Sequence, residues 1–314
     1  MRDRILIIGD IWLEVDITVS PGGRYGTGTA DGYAEGIGGF GGSAALCAGR
    51  LGYPCVLACK TGSDATGERI RTYLLHSKAD VRYVLPSKTE KTAVMTRIFD
   101  GEAHRDILYA GASEDFCARD AEKAFLCEPQ ALYISTCSPE EVLRASVRHS
   151  AERGIPSFVV VSEGKIPDPS AFYGADTVIL TDDRVRTFTG VSCASIEGCM
   201  KATLEINRMT GAKNVIIKRG TKGIYLSYGK YYQTVQAYSL RARSTDYADP
   251  AFDMAYIGYY LRTGLREQAC EYANIVGSIT ASRAGKLISV PSTDEIEKFG
   301  RANCPRLYGG DNLE

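Results

Sequence analysis

The chain has 314 residues, of which 44% are hydrophobic and 24% charged, and its 37 lysine and arginine residues nearly balance 38 aspartate and glutamate residues. This composition excludes the collagen-like, low-complexity and disordered classes, and the balanced charge argues against a protein that holds nucleic acid through phosphate contacts. Apolar runs all fall short of the roughly 20 residues that cross a bilayer, so we expect a cytoplasmic protein with no membrane partner and no nucleic-acid partner.

Short apolar segments predict the strands of one sheet. They are Ile5–Ile8, Cys55–Lys60, Leu132–Ser135, Phe158–Val161, Thr177–Leu180 and Val215–Lys218. Several are continuous runs of valine, isoleucine and leucine, which are typical of strands buried on both faces of a parallel sheet. Helical patterns alternate with these strands, so the order of elements predicts βαβ units in a doubly wound α/β fold.

Two helical segments carry signals for their ends. Ser138 and Pro139, followed by two glutamates, predict a helix with Ser138 as its N-cap and Pro139 as its first residue. Aromatic and alanine residues recur at helical spacing from Phe252 to Tyr260, and Gly264 follows them. The second helix is therefore predicted to end at Gly264.

Two further segments interrupt the alternation of strands and helices. Residues 11–36 are rich in glycine, threonine and tyrosine, and residues 92–110 form two β-rich arms around Asp100-Gly101, a favoured hairpin turn. Neither segment has a helix to cover it, so we expect a small β layer that forms a lid over the main sheet. The sequence has no linker-like tract, and we expect a single domain over residues 1–314.

Cysteine and histidine are scattered along the chain. The ten cysteines form no CxxC pair, and the three histidines lie far apart. This distribution argues against a disulfide framework and against a zinc site, and it is typical of free thiols in a reducing compartment.

A glycine-rich stretch over residues 36–43 (GIGGFGGS) leads into a helix of small residues over 44–51. Glycines let a backbone approach a ligand closely, and a helix N-terminus favours anionic or strongly polar groups. The stretch is neither a Walker A loop nor a dinucleotide fingerprint, because no GKS or GKT follows and no strand directly precedes it. Taken alone, it fits a ligand loop and a structural turn equally well.

Taken together, the motifs resemble those of the ribokinase-like (pfkB) sugar and nucleoside kinases. The resemblance is carried by the glycine-rich loop, GSDATG at 62–67, TA at 92–93, VIIKRGTKG at 215–223, AF at 251–252, YAN at 272–274, SRAG at 282–285 and VPS at 290–292. It implies a three-layer α/β/α sandwich with a small β-sheet lid that often pairs two subunits. It also implies transfer of the γ-phosphoryl group of ATP, with Mg²⁺, to a hydroxyl of a sugar or nucleoside-like substrate.

The catalytic element departs from the family pattern. The family has a Gly-Ala-Gly-Asp run whose amides form an anion hole and whose Asp is the base, whereas this chain has Tyr247, Ala248, Asp249 and Pro250. Proline has no acidic group and no backbone N–H, while Tyr247 and Asp249 bring bulk and negative charge to the phosphate position. Asp249 is then either a displaced base or, with Pro250 behind it, the N-cap of an ordinary helix start.

The resemblance also assigns binding residues. On the substrate side these are Glu14 with Asp16 close behind, the glycine pair Gly38 and Gly39, and Ser43. On the nucleotide side they are Thr181, Gly220, Gly223 and Asn274, although Asn274 serves equally well to satisfy a neighbouring loop. Asp182 and Asp183 supply oxygen ligands of the kind that Mg²⁺ prefers, while Thr181 and Arg184 replace the family's Asn and Glu.

Two arginines are candidates for holding an anion. They are Arg105 in the lid hairpin and Arg219 beside the glycine turn, although lone arginines are more often solvated. Function then divides between an ATP-dependent kinase and a non-catalytic pseudo-kinase that binds a sugar or nucleotide ligand. For the second, closure of the cleft or formation of a homodimer through the lid edges is the output.

Overall fold

The computed structural model describes residues 4–19, 29–101, 103–162, 164 and 166–308. Its strands are β1 (Ile5–Ile8), β2 (Trp12–Val19), β3 (Ala30–Gly38), β4 (Cys55–Gly62), β5 (Asp80–Ser87), β6 (Val94–Asp100), β7 (Ala103–Tyr109), β8 (Ala131–Ser135), β9 (Ser157–Val160), β10 (Thr177–Thr181), β11 (Asn214–Lys218), β12 (Ile224–Tyr228) and β13 (Tyr231–Val235). Its helices are α1 (Phe40–Arg50), α2 (Ala65–His76), α3 (Ala118–Ala124), α4 (Glu140–Glu152), α5 (Asp182–Thr189), α6 (Ile196–Thr210), α7 (Ala248–Thr263), α8 (Arg266–Ala281), α9 (Thr293–Asn303) and α10 (Pro305–Tyr308).

Nine strands form the main sheet in the order β13-β12-β11-β10-β9-β8-β1-β4-β5. Neighbours from β11 through β5 are parallel, and β12 and β13 continue the sheet as antiparallel strands. In the centre, Leu6 of β1 lies beside Val56 on one side and Leu132 on the other. The six strands predicted from apolar runs are all found here, which confirms the parallel α/β interpretation.

Alternating side chains divide the core into two layers. In β1, Ile5 and Ile7 face the layer that holds α1, α7 and α8, whereas Leu6 and Ile8 face the layer that holds α3, α4 and α6. All four side chains are buried, and each such burial stabilises the fold by about 1.5–3 kcal/mol. Because both faces of the strands are apolar, helices must cover both, and the result is the three-layer α/β/α sandwich.

Four strands form a second sheet, the lid, in the order β3-β2-β6-β7. β2 and β3 are antiparallel, β6 and β7 form the predicted hairpin, and β2 and β6 join the two pairs in parallel. The hairpin turns at Gly101, whose φ of 63° lies in the left-handed region that glycine tolerates. Part of the predicted lid segment 11–36, residues 20–28, lies outside the described residues.

One predicted helix start is displaced by a residue. Helix α4 begins at Glu140 and has Pro139 as its N-cap, not as its first residue, because the ψ of Pro139 is 139° and therefore extended. The amide of Ser138 instead donates to the carbonyl of Ser135, in the turn that leaves β8. Helix α7 ends at Gly264 as predicted, with a φ of 73°.

Within the described residues, no helix has the length and apolar character needed to cross a bilayer. The part of the chain that the structure describes includes all ten cysteines and contains no disulfide bond.

Asp64 joins the lid to the main layer. Its Oδ1 accepts from the Gly67 amide at 2.9 Å, which caps α2, and from the Thr92 hydroxyl at 2.6 Å, while its Oδ2 accepts from the Thr92 amide at 2.9 Å. Thr92 is buried and lies two residues before the start of β6. Burial acts to raise the pKa of the Asp64 carboxyl, but these hydrogen bonds outweigh burial and hold the pKa below its usual value.

We expect Asp64→Ala to lower the free energy of unfolding by about 2 kcal/mol, because it removes both a helix cap and the anchor of the lid. Urea denaturation of Asp64→Ala, Thr92→Val and the double variant should give a coupling energy of at least about 0.5 kcal/mol. The carboxylate's contribution is present above about pH 4 and is lost as the pH falls through the lowered folded-state pKa. Ser292→Ala, which removes only the cap of α9, is the control and should not couple to Thr92.

Candidate functional site

Two adjoining cavities, the larger and the smaller cleft cavity, lie at the carboxyl ends of the central parallel strands. Their volumes are about 410 Å³ and about 320 Å³. Residues that line both are Thr181, Asp183, Lys218, Thr245 and Asp249. The carboxyl edge of an open parallel sheet is where α/β proteins bind their ligands, so these shared residues mark the centre of the candidate site.

The larger cleft cavity has one apolar side and one polar side. Its apolar lining comes from Ile224, Ala237, Phe252, Gly277 and Ala281. Gly220 and Thr221 line it from the turn after β11, and Asn274 lines it from α8, with its amide nitrogen donating to the Gln236 carbonyl at 2.9 Å. Gly223 shapes the same turn at a φ of 78°, where a Cβ would lie 1.9 Å from the Val235 carbonyl oxygen. The cavity therefore has the size and lining of a site for a flat, mostly apolar ring.

Neither of the two candidate arginines lines the cleft. Arg219 follows β11 directly, and its side chain is directed to the segment before α6 and not to the cleft. Its Nε donates to the Cys193 carbonyl at 3.1 Å and its Nη2 to the Ala194 carbonyl at 3.3 Å, which ties β11 to the segment before α6. Arg105 lies on the exposed strand β7 of the lid. Both side chains are therefore placed for structural or solvent contacts and not for a ligand in the cleft.

Lys218 is the buried cation of the cleft. It ends β11 on the face that packs against α7, and its Nζ lies 2.9 Å from Asp249 Oδ1 and 3.2 Å from Asp253 Oδ1. Asp253 Oδ2 in turn accepts from the hydroxyl of Tyr133 on β8 at 2.7 Å. Burial acts to lower the pKa of Lys218, but the two carboxylates outweigh burial and raise it, so this lysine is charged at neutral pH.

The start of α7 differs from the expected helix cap. The helix begins at Ala248 with Tyr247 at the N-cap position, so Asp249 is the second helical residue and the N-cap interpretation of Asp249 is wrong. The Asp249 carboxylate is 59% exposed and pairs with Lys218 instead. The Ala248 amide already donates to the Thr245 carbonyl at 3.1 Å, and Pro250 has no N–H. Of the backbone positions Ala248, Asp249 and Pro250, only Asp249 therefore has an amide without a partner among the described contacts, and this amide is the one left for an anion.

Tyr247 fills the space between α7 and the lid. Its side chain is buried, and its hydroxyl donates to the carbonyl of Ile37, at the end of β3, over 2.5 Å. Burial raises the pKa of this phenol well above its usual value, so it is a neutral hydrogen-bond donor at every physiological pH. A glycine at this position would leave the same space open beside the glycine-rich loop.

The carboxylates expected to bind substrate are paired with cations of the chain itself. Glu14 is 5% exposed, and its Oε1 lies 2.9 Å from Lys286 Nζ and 3.4 Å from an Arg97 nitrogen. Trp12 donates its indole N–H to Glu14 Oε2 at 3.3 Å, and Lys286 Nζ also lies 2.8 Å from Asp16 Oδ2. A neutral sugar hydroxyl would have to compete with these ion pairs for both carboxylates.

Lys286 and Arg97 connect the lid with the rest of the molecule. Lys286 has a φ of 53°, and its side chain passes so close to Gly36 that a Cβ there would lie 2.8 Å from the lysine Cδ and would push the side chain aside. Arg97 on β6 reaches Asp246, just before α7, at 3.2 Å and Asp106 on β7 at 3.6 Å. The lid, the loop at 285–286 and the start of α7 therefore share one ion-pair cluster, formed by Glu14, Asp16, Arg97, Asp106, Asp246 and Lys286 and called the lid cluster below.

The glycine-rich loop packs closely against β2 and the segment before it. Gly39 is the N-cap of α1 at a φ of 88°, and a Cβ on Gly38 would lie 2.3 Å from Glu14 Oε2. Ser43 lines the smaller cleft cavity, but its hydroxyl donates back to the Gly39 carbonyl at 2.8 Å. The stacked rings of Phe40 and Tyr133, 4.7 Å apart, form the adjoining wall of that cavity.

Asp182 and Asp183 begin α5 and line the larger cleft cavity. Thr181 donates its hydroxyl to Asp183 Oδ1. The described residues contain no group of three or more metal-ligating side chains. Mg²⁺ in phosphoryl-transfer sites usually takes one or two carboxylates together with substrate phosphates and water, and this pair of carboxylates fits that donor set.

Sequence reasoning missed several residues that form the site. The apolar run predicts Lys218 only as the end of a strand. Residues two apart in a strand share a face, so Lys218 lies on the same face as Ile216, the face toward α7. Asp249 and Asp253 stand four residues apart, a helical spacing that could have shown them to share a face. Arg97 and Lys286 lie far from Glu14 in the chain, and no local pattern predicts their pairing with it.

The model of the family described as "pfkB family carbohydrate kinase" matches residues 3–293. The chain belongs to the pfkB family of carbohydrate kinases. It is 20% identical to the ribokinases of Haemophilus influenzae, over 95% of this chain and 99% of that protein, and of Staphylococcus aureus, over 95% and 100%.

Solved structures share the ribokinase fold. The Arabidopsis thaliana ribokinase complexed with ribose and ATP gives a TM-score of 0.84 at 18% identity and covers 95% of this chain and 98% of its own. A putative ribokinase II from E. coli in complex with ATP and Mg²⁺ gives 0.80 at 18% identity, over 96% and 100%. These structures confirm the predicted ribokinase-like sandwich with its lid.

We expect Lys286→Met to lower the free energy of unfolding by about 3 kcal/mol, because Glu14 and Asp16 would then face each other without their shared cation. Lys213→Met is the matched control, since Lys213 is exposed and lies 4.0 Å from its partner Asp176, and we expect a loss below about 0.5 kcal/mol. Urea denaturation measures both. Equal losses in the two variants would contradict a stabilising role for the lid cluster.

Proposed function

We propose that this pfkB-family chain is a non-catalytic ligand-binding protein that takes an adenine nucleotide in its larger cleft cavity. Phosphoryl transfer to a sugar hydroxyl needs a base at the acceptor and donors aimed at the developing phosphate charge. At the start of α7, Pro250 supplies neither, and the buried side chain of Tyr247 fills the space beside it. This replacement of the catalytic turn is the observation that carries the proposal.

The nucleotide is assigned from the larger cleft cavity. Its apolar wall, with Phe252 and Ile224, suits a purine ring, and Gly220 and Thr221 lie where the polar part would leave it. Related structures are described as complexes with ATP, in one case together with Mg²⁺. When bound with the nucleotide, Mg²⁺ would neutralise phosphate charge, and Asp182 and Asp183 are the residues of this chain that would hold it.

The carboxylates expected to bind the sugar also support a function other than sugar phosphorylation. Glu14 and Asp16 pair with Lys286, so the two carboxylates suited to sugar hydroxyls are already occupied. A sugar or nucleoside would reach them only by separating buried charges, which costs several kcal/mol unless the ligand replaces the pairs.

A kinase that uses Asp249 as a displaced base is the second candidate. One observation favours it: the Asp249 carboxylate is exposed and lines both cleft cavities, between the proposed nucleotide and the smaller cavity. In this case the smaller cavity would hold the acceptor hydroxyl.

Calorimetric titration with ATP, with and without Mg²⁺, and an ADP-release assay over hexoses, pentoses, sugar acids and nucleosides separate the two candidates. We expect saturable nucleotide binding and no release above background. Formation of a phosphorylated product that is lost in Asp249→Asn would establish the kinase instead. Absence of nucleotide binding at millimolar concentration would overturn both.

We also expect Pro250→Asp alone to leave phosphoryl transfer at background, because the Asp249 carboxylate still lines both cleft cavities and Tyr247 still stands where the family's turn has a glycine. The triple variant Tyr247→Gly, Asp249→Gly, Pro250→Asp is the comparison, since it rebuilds the family's turn. A gain of more than about a hundredfold from the single change would show that crowding does not limit the reaction.

For quaternary structure, we propose that two copies pair through the lid. Strand β7 is an edge of the lid sheet and is exposed along its length, with Ile107, Leu108 and Tyr109 among its exposed apolar residues. An uncovered edge of this kind readily pairs with another strand.

Light scattering should give a dimer that Ile107→Lys dissociates. Leu204→Lys, at an even more exposed apolar position on α6, is the control and should leave the dimer intact. A wild-type monomer would contradict the pairing.

A further inference from the structure

The cleft carries more negative than positive charge around the position where nucleotide phosphates would lie. Asp182, Asp183 and Asp249 line the larger cleft cavity, and among the described residues the only cation that lines both cavities is Lys218. Arg184 lines the smaller cavity alone, and its side chain lies 3.8 Å from Asp183. A phosphate in this cleft therefore depends on Lys218 for its positive partner unless a metal ion accompanies it.

We propose that Lys218 binds the phosphate groups of a nucleoside di- or triphosphate directly, and that Asp249 occupies Lys218 when no phosphate is present. The inference rests on the proposed function, because it assumes a nucleotide in the larger cleft cavity. It adds the residue that recognises the phosphates and the residue that competes with them.

The two carboxylates beside Lys218 have different roles. Asp253 is 1% exposed and is held by Tyr133, so it fixes the ammonium group from within the core. Asp249 is 59% exposed and approaches the same ammonium group from the cavity side. A phosphate oxygen can take the place of Asp249 without disturbing Asp253, because only the exposed partner has to turn into solvent.

The same arrangement compensates for the altered start of α7. A helix N-terminus normally receives phosphate through several free amides. Here Ala248 donates to Thr245 and Pro250 has no N–H, so the helix offers little to an anion. An ammonium group is a strong phosphate partner as a point charge, and Lys218 sits at the end of a buried strand, where its position is fixed.

Isothermal titration of adenosine and of ADP, in EDTA to exclude metal ions, tests the proposal. We expect Lys218→Met to lower the affinity for ADP at least about tenfold and to change the affinity for adenosine less than about twofold. Asp249→Asn should raise the affinity for ADP severalfold and leave the affinity for adenosine unchanged, because it frees the ammonium group of Lys218 to bind phosphate. Lys213→Met, at an exposed lysine away from the cleft, should change neither ligand.

Each result bears on one claim. An unchanged ratio of ADP to adenosine affinity in Lys218→Met overturns the role of Lys218 while nucleotide binding stands, and weaker ADP binding in Asp249→Asn overturns the competition. If neither ligand binds the folded wild type, the proposed function fails together with this inference. If Lys218→Met does not fold because Asp253 is left buried and unpaired, the variant Lys218→Met/Asp253→Asn, which removes that charge, carries the same test.

Discussion

A buried ammonium group is stable only beside a buried carboxylate, and this requirement joins strand β11 to helix α7 at the base of the cleft. Lys218 ends a central strand and Asp253 lies one turn inside α7, so their ion pair fixes the helix against the sheet. Tyr133 lies on β8, three strands from β11 in the sheet order, and its hydroxyl donates to the other carboxylate oxygen of Asp253. The position of the α7 start, and with it the position of Asp249 and Pro250, follows from this contact. Removal of one member would leave a charge that the apolar layer around it cannot solvate.

The fold could be predicted from the sequence because its signals are local. Continuous apolar runs such as Ile5–Ile8 identify buried parallel strands, and the Asp100-Gly101 turn identifies the lid hairpin. The observed start of α4 lies one residue after the predicted one, because proline fits both the N-cap and the first helical position and its ψ angle decides between them. Tertiary contacts, not propensity, decide such ends.

The site was predictable only in part. The replaced turn at 247–250 can be recognised from sequence order, but the pairing of Asp249 with Lys218 cannot. Whether a carboxylate caps its own helix or pairs with a lysine on a neighbouring strand depends on packing between distant segments. The same limit applies to Glu14, whose residue type suggests a substrate contact while its cations, Arg97 and Lys286, arrive from two other parts of the chain.

The lid cluster also determines how substitutions at its positions combine. Glu14 is buried, Asp16 is half-buried, and both carboxylates share Lys286, while Arg97 adds a second cation to Glu14. Loss of either cation leaves carboxylate charge in the lid with less compensation, so a change at one member alters the cost of a change at the next. The six side chains are therefore coupled, and their substitutions do not act independently although they come from separate parts of the chain.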